Sequence, residues 1–186
     1  MKKITILCLL LMVGIVSVVQ AQTPATAAKP DPELKKLQAW VGHWTYELEY
    51  KAGPLGPGDK VTGEMKMQVI LGGFFHEGWS TEKGAHGTSQ LLEIDGYDPA
   101  SKKSTFATFY DKGNAESGTF SFSSTTEWSF EGKGRAGGKE YYLRGKGVFA
   151  ADMKSYTFSG EISTDGKTWA PWWDGKYTKS EPAAKK

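Results

Sequence analysis

Strict alternation of apolar and polar residues sets in at Trp44. Trp44, Tyr46, Leu48 and Tyr50 fall on one side; Thr45, Glu47, Glu49 and Lys51 fall on the other. A period of two is that of a β-strand with one wet face. It recurs along the chain. Met65, Met67 and Val69 oppose Glu64, Lys66 and Gln68. Tyr141, Leu143 and Phe149 share a side with Gly145 and Gly147, against Glu140, Arg144 and Lys146, and Tyr156, Phe158 and Ile162 share one with Gly160. Turn signals separate these runs: "DPASKK" after Tyr97, Asp165-Gly166 within "TDGKT", and the Gly-rich "EGKGRAGGKE". The spacing predicts about ten strands, over 43–52, 60–71, 74–82, 87–96, 103–111, 115–122, 125–132, 139–149, 153–163 and 167–178. From residue 43 onward no stretch sustains a helical period.

Every predicted connection is short, so consecutive strands are expected to lie side by side and antiparallel. A meander of this length leaves two exposed edges unless it closes on itself. The expected fold is therefore all-β, an antiparallel up-and-down barrel. A two-layer sandwich is the alternative, and the lack of long crossover loops speaks against its Greek-key connections. Ahead of the strands, "DPELKKLQAW" has Asp31 as a cap, Pro32 in the first turn, and Leu34, Leu37 and Trp40 or Val41 on one face. That is a short amphipathic helix, expected to plug one end. "KAGPLGPGDK" is long enough to form a flap over the other.

The termini bear on location. Residues 1–21 hold Lys2 and Lys3, an uncharged apolar run, and Val19-Gln20-Ala21 at its end. This is the layout of a cleaved secretory signal. The competing reading, a membrane anchor, asks for about 20 apolar residues, more than the run supplies. Cys8, the single cysteine, lies inside the run, so cleavage after Ala21 leaves a chain that must be held by its core alone. Removing Lys2 and Lys3 also leaves 21 basic residues against 21 acidic ones. A neutral chain lacks the basic footprint that nucleic acid requires. The expectation is a periplasmic or secreted protein with no membrane span after cleavage. Residues 22–31 read as a flexible linker, 32–179 as the barrel domain and 180–186 as a disordered tail.

"GHW" at 42–44, following a short helix, resembles the Gly-x-Trp of the first strand in the lipocalin and fatty-acid-binding (calycin) superfamily. The ordered set "VGHWTYELEY", "MQVILGGFFHEGW", "GYDPASKKSTFATFYD" and "STDGKTWAPWWDGKYTK" is similar to a bacterial family of secreted lipocalin-like proteins catalogued as a domain of unknown function. The likeness covers 38–179. It implies the barrel, the packing of Trp44 across a closed end, and an exported location; it implies no catalytic residue.

Two segments break the alternation, and candidate chemistry concentrates there. In "GGFFHEGWS", Phe75, Glu77 and Trp79 share one side, and Phe74, His76 and Gly78 the other. In "TWAPWWDGKY", Trp169, Pro171, Trp173 and Tyr177 oppose Trp172 and Asp174. With Phe75 and Trp79 inward, Glu77 would be a carboxylate in an aromatic cavity, its pKa raised by burial. It could then hold a ligand's polar head or act as acid/base. The first expectation is a binding barrel for a small apolar or amphipathic molecule, lined by Tyr46, Met67, Phe75, Glu77, Trp79, Phe109, Tyr141 and Trp173. The second is an isomerase or hydrolase using Glu77 with His76 or Arg144. The third is a filled barrel acting as an envelope structural or interaction protein, since seven Trp, eight Tyr and nine Phe could consume the interior as well as line it. No cofactor is expected, although a single-histidine haem pocket on His76 stays open. The three histidines, without cysteine partners or paired carboxylates, make no metal site. No Gly-x-Ser-x-Gly occurs, and "EGKGRAGGK" precedes no helix, so neither a hydrolase elbow nor a phosphate loop is indicated.

Overall fold

The computed structural model describes residues 28–181. The signal peptide expected at 1–21, most of the linker expected at 22–31 and most of the tail lie outside the described residues. Ten strands follow one another: β1 (Gly42–Tyr50), β2 (Asp59–Ile70), β3 (Phe75–Gly84), β4 (Gly87–Asp98), β5 (Lys103–Tyr110), β6 (Ala115–Phe122), β7 (Glu127–Ala136), β8 (Lys139–Phe149), β9 (Ser155–Ser163) and β10 (Ala170–Ser180). Each pairs antiparallel with its neighbours in sequence, and β1 pairs with β10 from His43 opposite Ser180 to Tyr50 opposite Trp173. The sheet is a closed barrel. Closure leaves no unpaired edge, as the short connections anticipated.

The helix expected before β1 is present at Pro32–Trp40, as a 3-10 helix. Asp31 caps it, its Oδ1 accepting from the Glu33 N–H at 2.9 Å. Leu34, Leu37 and Trp40 recur every three residues, which is the 3-10 period, so all three are buried on one face. Trp40 enters the barrel end and meets Phe120, Trp128 and Phe149 at ring separations of 5.7, 5.3 and 5.3 Å. Trp44 lies directly inside it, with no solvent exposure, and its Nε1 donates to the Trp40 carbonyl at 2.7 Å. Together they floor the barrel. The start of β1 and the end of β10 lie at this floor, and the 51–58, 112–114 and 137–138 connections surround the opposite end.

Directly opposed residues of an antiparallel pair point to the same side, so one buried anchor fixes the facing of a whole strand. Met67 is buried and stands opposite Gly78. Gly78 therefore faces in, and with it His76, Ser80 and Glu82; Phe75, Glu77 and Trp79 face out. Phe75 and Trp79 are 38% and 51% exposed. This corrects the inward placement of Phe75, Glu77 and Trp79. Phe109 is also corrected: it stands opposite Leu92 on the outer face and is 49% exposed, while Phe106, Thr108 and Tyr110 point inward. In β10 the register shifts between Pro171 and Trp173, a bulge that turns both Trp172 and Trp173 to the interior.

Inward glycines alternate with rings across the strands. Gly63 stands opposite Tyr46, Gly134 opposite Tyr141, Gly147 opposite Trp128 and Gly160 opposite Trp173. A Cβ at any of the four would overlap the ring. Each ring thus lies flat on its neighbour's bare backbone and lines the wall instead of crossing the lumen. The barrel stays hollow.

Candidate ligand cavity

The hollow is a cavity of about 390 Å³ above the Trp40 floor. A larger space of about 730 Å³ lies among Arg144, Lys146, Glu161 and Asp174 on the outer face, but it is an open groove between solvated side chains. The interior cavity has two chemically distinct walls.

One wall, from β1 and β7–β10, is aromatic. Tyr46 stacks on Tyr177 at 4.6 Å, Tyr177 on Tyr156 at 4.6 Å, and Phe130 on Trp173 at 5.8 Å. The other wall, from β3–β6, carries carboxyl groups. Glu82, Glu93, Asp95 and Glu116 all line the cavity. Each glutamate takes a hydroxyl donor: Tyr46 to Glu82 at 3.5 Å, Thr108 to Glu93 at 3.4 Å, and Tyr141 and Tyr110 to Glu116 at 2.6 and 3.2 Å. Asp95 is 2% exposed, lies beside Glu93 on the inner face of β4, and leaves its Oδ1 without a partner among the described residues.

Burial dominates the protonation of this wall, because a charge leaving water loses its hydration. Burial, opposed by the Thr108 hydroxyl and reinforced by Glu116, lifts Glu93 to about 7. Burial and the neighbouring Glu93 push Asp95 well above the ordinary aspartate range. Burial raises Glu116 and Glu82 as well. Surface that Glu93 exposes faces the cavity, so it gains little of the hydration that bulk water would provide. Tyr46 and Tyr141 are also raised, first by burial and then by Glu82 and Glu116 respectively, and stay neutral hydroxyl donors.

Of the residues expected to line a site, Tyr46, Tyr141 and Trp173 do so. Met67 is buried but packs beside Gly78, away from the lining. Phe75, Glu77, Trp79 and Phe109 lie on the outer face, and Glu77 accepts a hydrogen bond from the exposed Trp79 indole at 2.5 Å. The candidate catalytic set does not converge. Glu77 is outside, and Arg144 is outside too, bonded to Glu161 at 2.8 Å and stacked on Trp169 at 4.1 Å. His76 is inside, but it is sealed at 1% exposure with its Nε2 3.0 Å from the Gln38 amide nitrogen. No histidine lines the cavity, so the residues do not fit a haem held by His76. Among the described residues no group of three or more His, Cys, Asp or Glu is placed to hold a metal ion.

A family model described as "Protein of unknown function (DUF1579)" matches residues 29–170. The chain belongs to the DUF1579 family. No curated protein matches it in sequence. Among solved structures, the DUF1579 chain is similar to the crystal structure of Rv2717c from M. tuberculosis, at 13% identity and a TM-score of 0.58, over 82% of this chain and 100% of that one. It is also similar to the S-type phycobiliprotein lyase CPES from Guillardia theta, at 11% identity and a TM-score of 0.47, over 81% and 93%. A de novo designed fluorescence-activating β-barrel matches at 13% identity and a TM-score of 0.40, over 77% and 95%. The likeness to Rv2717c is one of fold, and what the DUF1579 chain itself shows is a closed antiparallel barrel of ten strands.

The carboxyl wall is what the sequence concealed. In "SQLLEIDGY" Leu92 and Ile94 alternate with Glu93 and Asp95, and the usual rule turns the leucine and isoleucine inward. The signal was the acidic pair itself, two carboxylates two residues apart on one face of a strand.

Proposed function

We propose that this protein is an exported β-barrel that binds a small apolar or amphipathic molecule within its lumen. The observation that carries the proposal is the hollow kept open by rings lying on glycines. Covering ~300 Å² of apolar ligand at ~25 cal/mol/Å² contributes roughly 7–8 kcal/mol before association costs. What remains after those costs is compatible with affinity near the micromolar range. The rings are packed against one another, so little ordering is needed on binding. The 51–58 connection places Leu55 at the mouth, where it can cover a guest.

Export rests on the N-terminal sequence pattern and gives the barrel a compartment, periplasm or medium, in which to meet its ligand. Cell fractionation of a tagged chain checks it: a shortened, cell-associated but non-cytoplasmic or secreted product is expected. The binding proposal is tested by thermal unfolding against fatty acids, retinoids and hydrophobic amines. A binder at about 100 times its Kd stabilises by about 2.7 kcal/mol, a readily measured rise in midpoint. An unchanged midpoint with every member of such a panel would sink it.

A further inference from the structure

We infer that the barrel's ligand carries an organic cation, such as a protonated amine, beside its apolar body, and that the cation sits against the carboxyl wall of β3–β6. The inference rests on the barrel being a ligand container and specifies what it contains.

Four carboxyl groups reach the cavity, from β3, β4 and β6, and Lys112 at the mouth is the one basic residue among the described residues that line it. A buried acidic wall with so little internal counter-charge costs stability, and a lumen needing only grease would not carry one. Asp95 gives the sharper indication. It is buried at the foot of the wall, lines the cavity, and has an acceptor oxygen that nothing in the described protein satisfies. Buried polar atoms are ordinarily paired, and neither this oxygen nor the Nδ1 of His76, directly opposite in the register, has a partner among the described residues, so a donor from outside the chain finds an open acceptor here.

The opposite wall suits the rest of the same ligand. Tyr46, Tyr177 and Tyr156 stack face on face, so their rims, together with the Phe130 and Trp173 rings, bound the lumen. An apolar body packs against that aromatic surface while its cation meets the acids. A carboxylate ligand such as a fatty acid would instead meet carboxyl groups. A metal ion would need ligands converging on one point, whereas these are spaced along three strands.

Binding of a cation must draw a proton from the wall, since the empty cavity favours the neutral acids. The groups around Glu93 set the titration. On its own strand there is Asp95; Thr108 and Tyr110 come from β5, and Glu116 from β6. From β3, His76 and Ser80 flank the facing Gly78 and Glu82 follows one inward position beyond, and Tyr46, Tyr156 and Tyr177 come from β1, β9 and β10. All but Lys112 and a protonated His76 are neutral or acidic, and burial keeps His76 below its ordinary pKa. Affinity for a cation therefore rises with pH.

Isothermal titration of the purified protein with three matched probes tests this: 1-naphthylmethylamine, 1-naphthalenemethanol and 1-naphthoic acid. At about pH 8 the amine is expected to bind at least tenfold tighter than the alcohol, with the acid weakest. At about pH 5, with Glu93 and Asp95 protonated, the amine's advantage should shrink severalfold. Glu93→Gln, and Glu82→Gln nearer the mouth should the first variant not fold, are each expected to weaken the amine and spare the alcohol. Equal binding of amine and alcohol at both pH values, or amine affinity unchanged in the glutamine variants, overturns the cation site and leaves the container intact. Binding of none of the three overturns both.

Discussion

The barrel's two halves obey opposite rules. Around β1, β2 and β7–β9 the apolar side of each strand is inside: Trp44, Met65, Phe130, Leu143 and Ile162 are buried, with Lys, Glu and Arg outside. Along β3 and β4 the order is reversed. Glu82, Glu93 and Asp95 point inward, while Trp79, Leu92 and Phe109 form a directly opposed row on the outer surface. The first half is built for packing and contributes most of the stabilising burial. The second gives up that burial to present acids to a cavity, and sites that trade stability in this way are where function tends to reside.

Substitutions can break the contrast, and the largest effect is expected at the packed half's floor. Trp44→Ala removes a fully buried ring and its bond to the Trp40 carbonyl, and should cost about 3–5 kcal/mol in denaturant unfolding. Next comes Gly147→Val. Its side chain would overlap the Trp128 ring and drive it into the lumen, costing about 1–3 kcal/mol and lowering ligand affinity. Gly78→Ala, on the acidic half, meets the mobile end of Met67 and should cost distinctly less.

A change of sign is expected at the acids. Glu93 holds its proton more tightly folded than unfolded, so the folded state binds more protons as pH rises from its ordinary value of 4.5 toward about 7. Its stabilising contribution is present below 4.5 and is lost across that window. Asp95, Glu116 and Glu82 act in the same direction. Glu93→Gln should therefore stabilise the barrel by about 1–2 kcal/mol at pH 8 and by little at pH 4, as urea midpoints at the two pH values would register. The smallest effect belongs to Trp79→Ser. An outward ring lost from the surface should move stability by no more than about 0.5 kcal/mol and leave ligand affinity unaltered.

The same contrast explains what could be read in advance. Strand number, antiparallel order, closure and the end plug followed from the period of two, the turn residues and the three-residue spacing of Leu34, Leu37 and Trp40. Tyr46, Tyr141 and Trp173 were legible as cavity residues because their strands follow the apolar-inside rule. Glu77 and Phe109 were misplaced because alternation reveals that a strand has two faces but not which one is inward. That choice was made by pairing with Met67 across strands, at a register no local pattern encodes. Glu93 and Asp95 were overlooked for the same cause: a polar interior makes an inward acid look like a solvated one.

The floor has a practical corollary. Because β1 begins and β10 ends beside the Trp40 plug, while Leu55, Lys112 and Ala136 ring the opposite rim, a tether attached beyond either strand would hang from the vessel's base. A bead, a dye or a fused enzyme joined there would leave the opening pointing away from its support, free for traffic in and out.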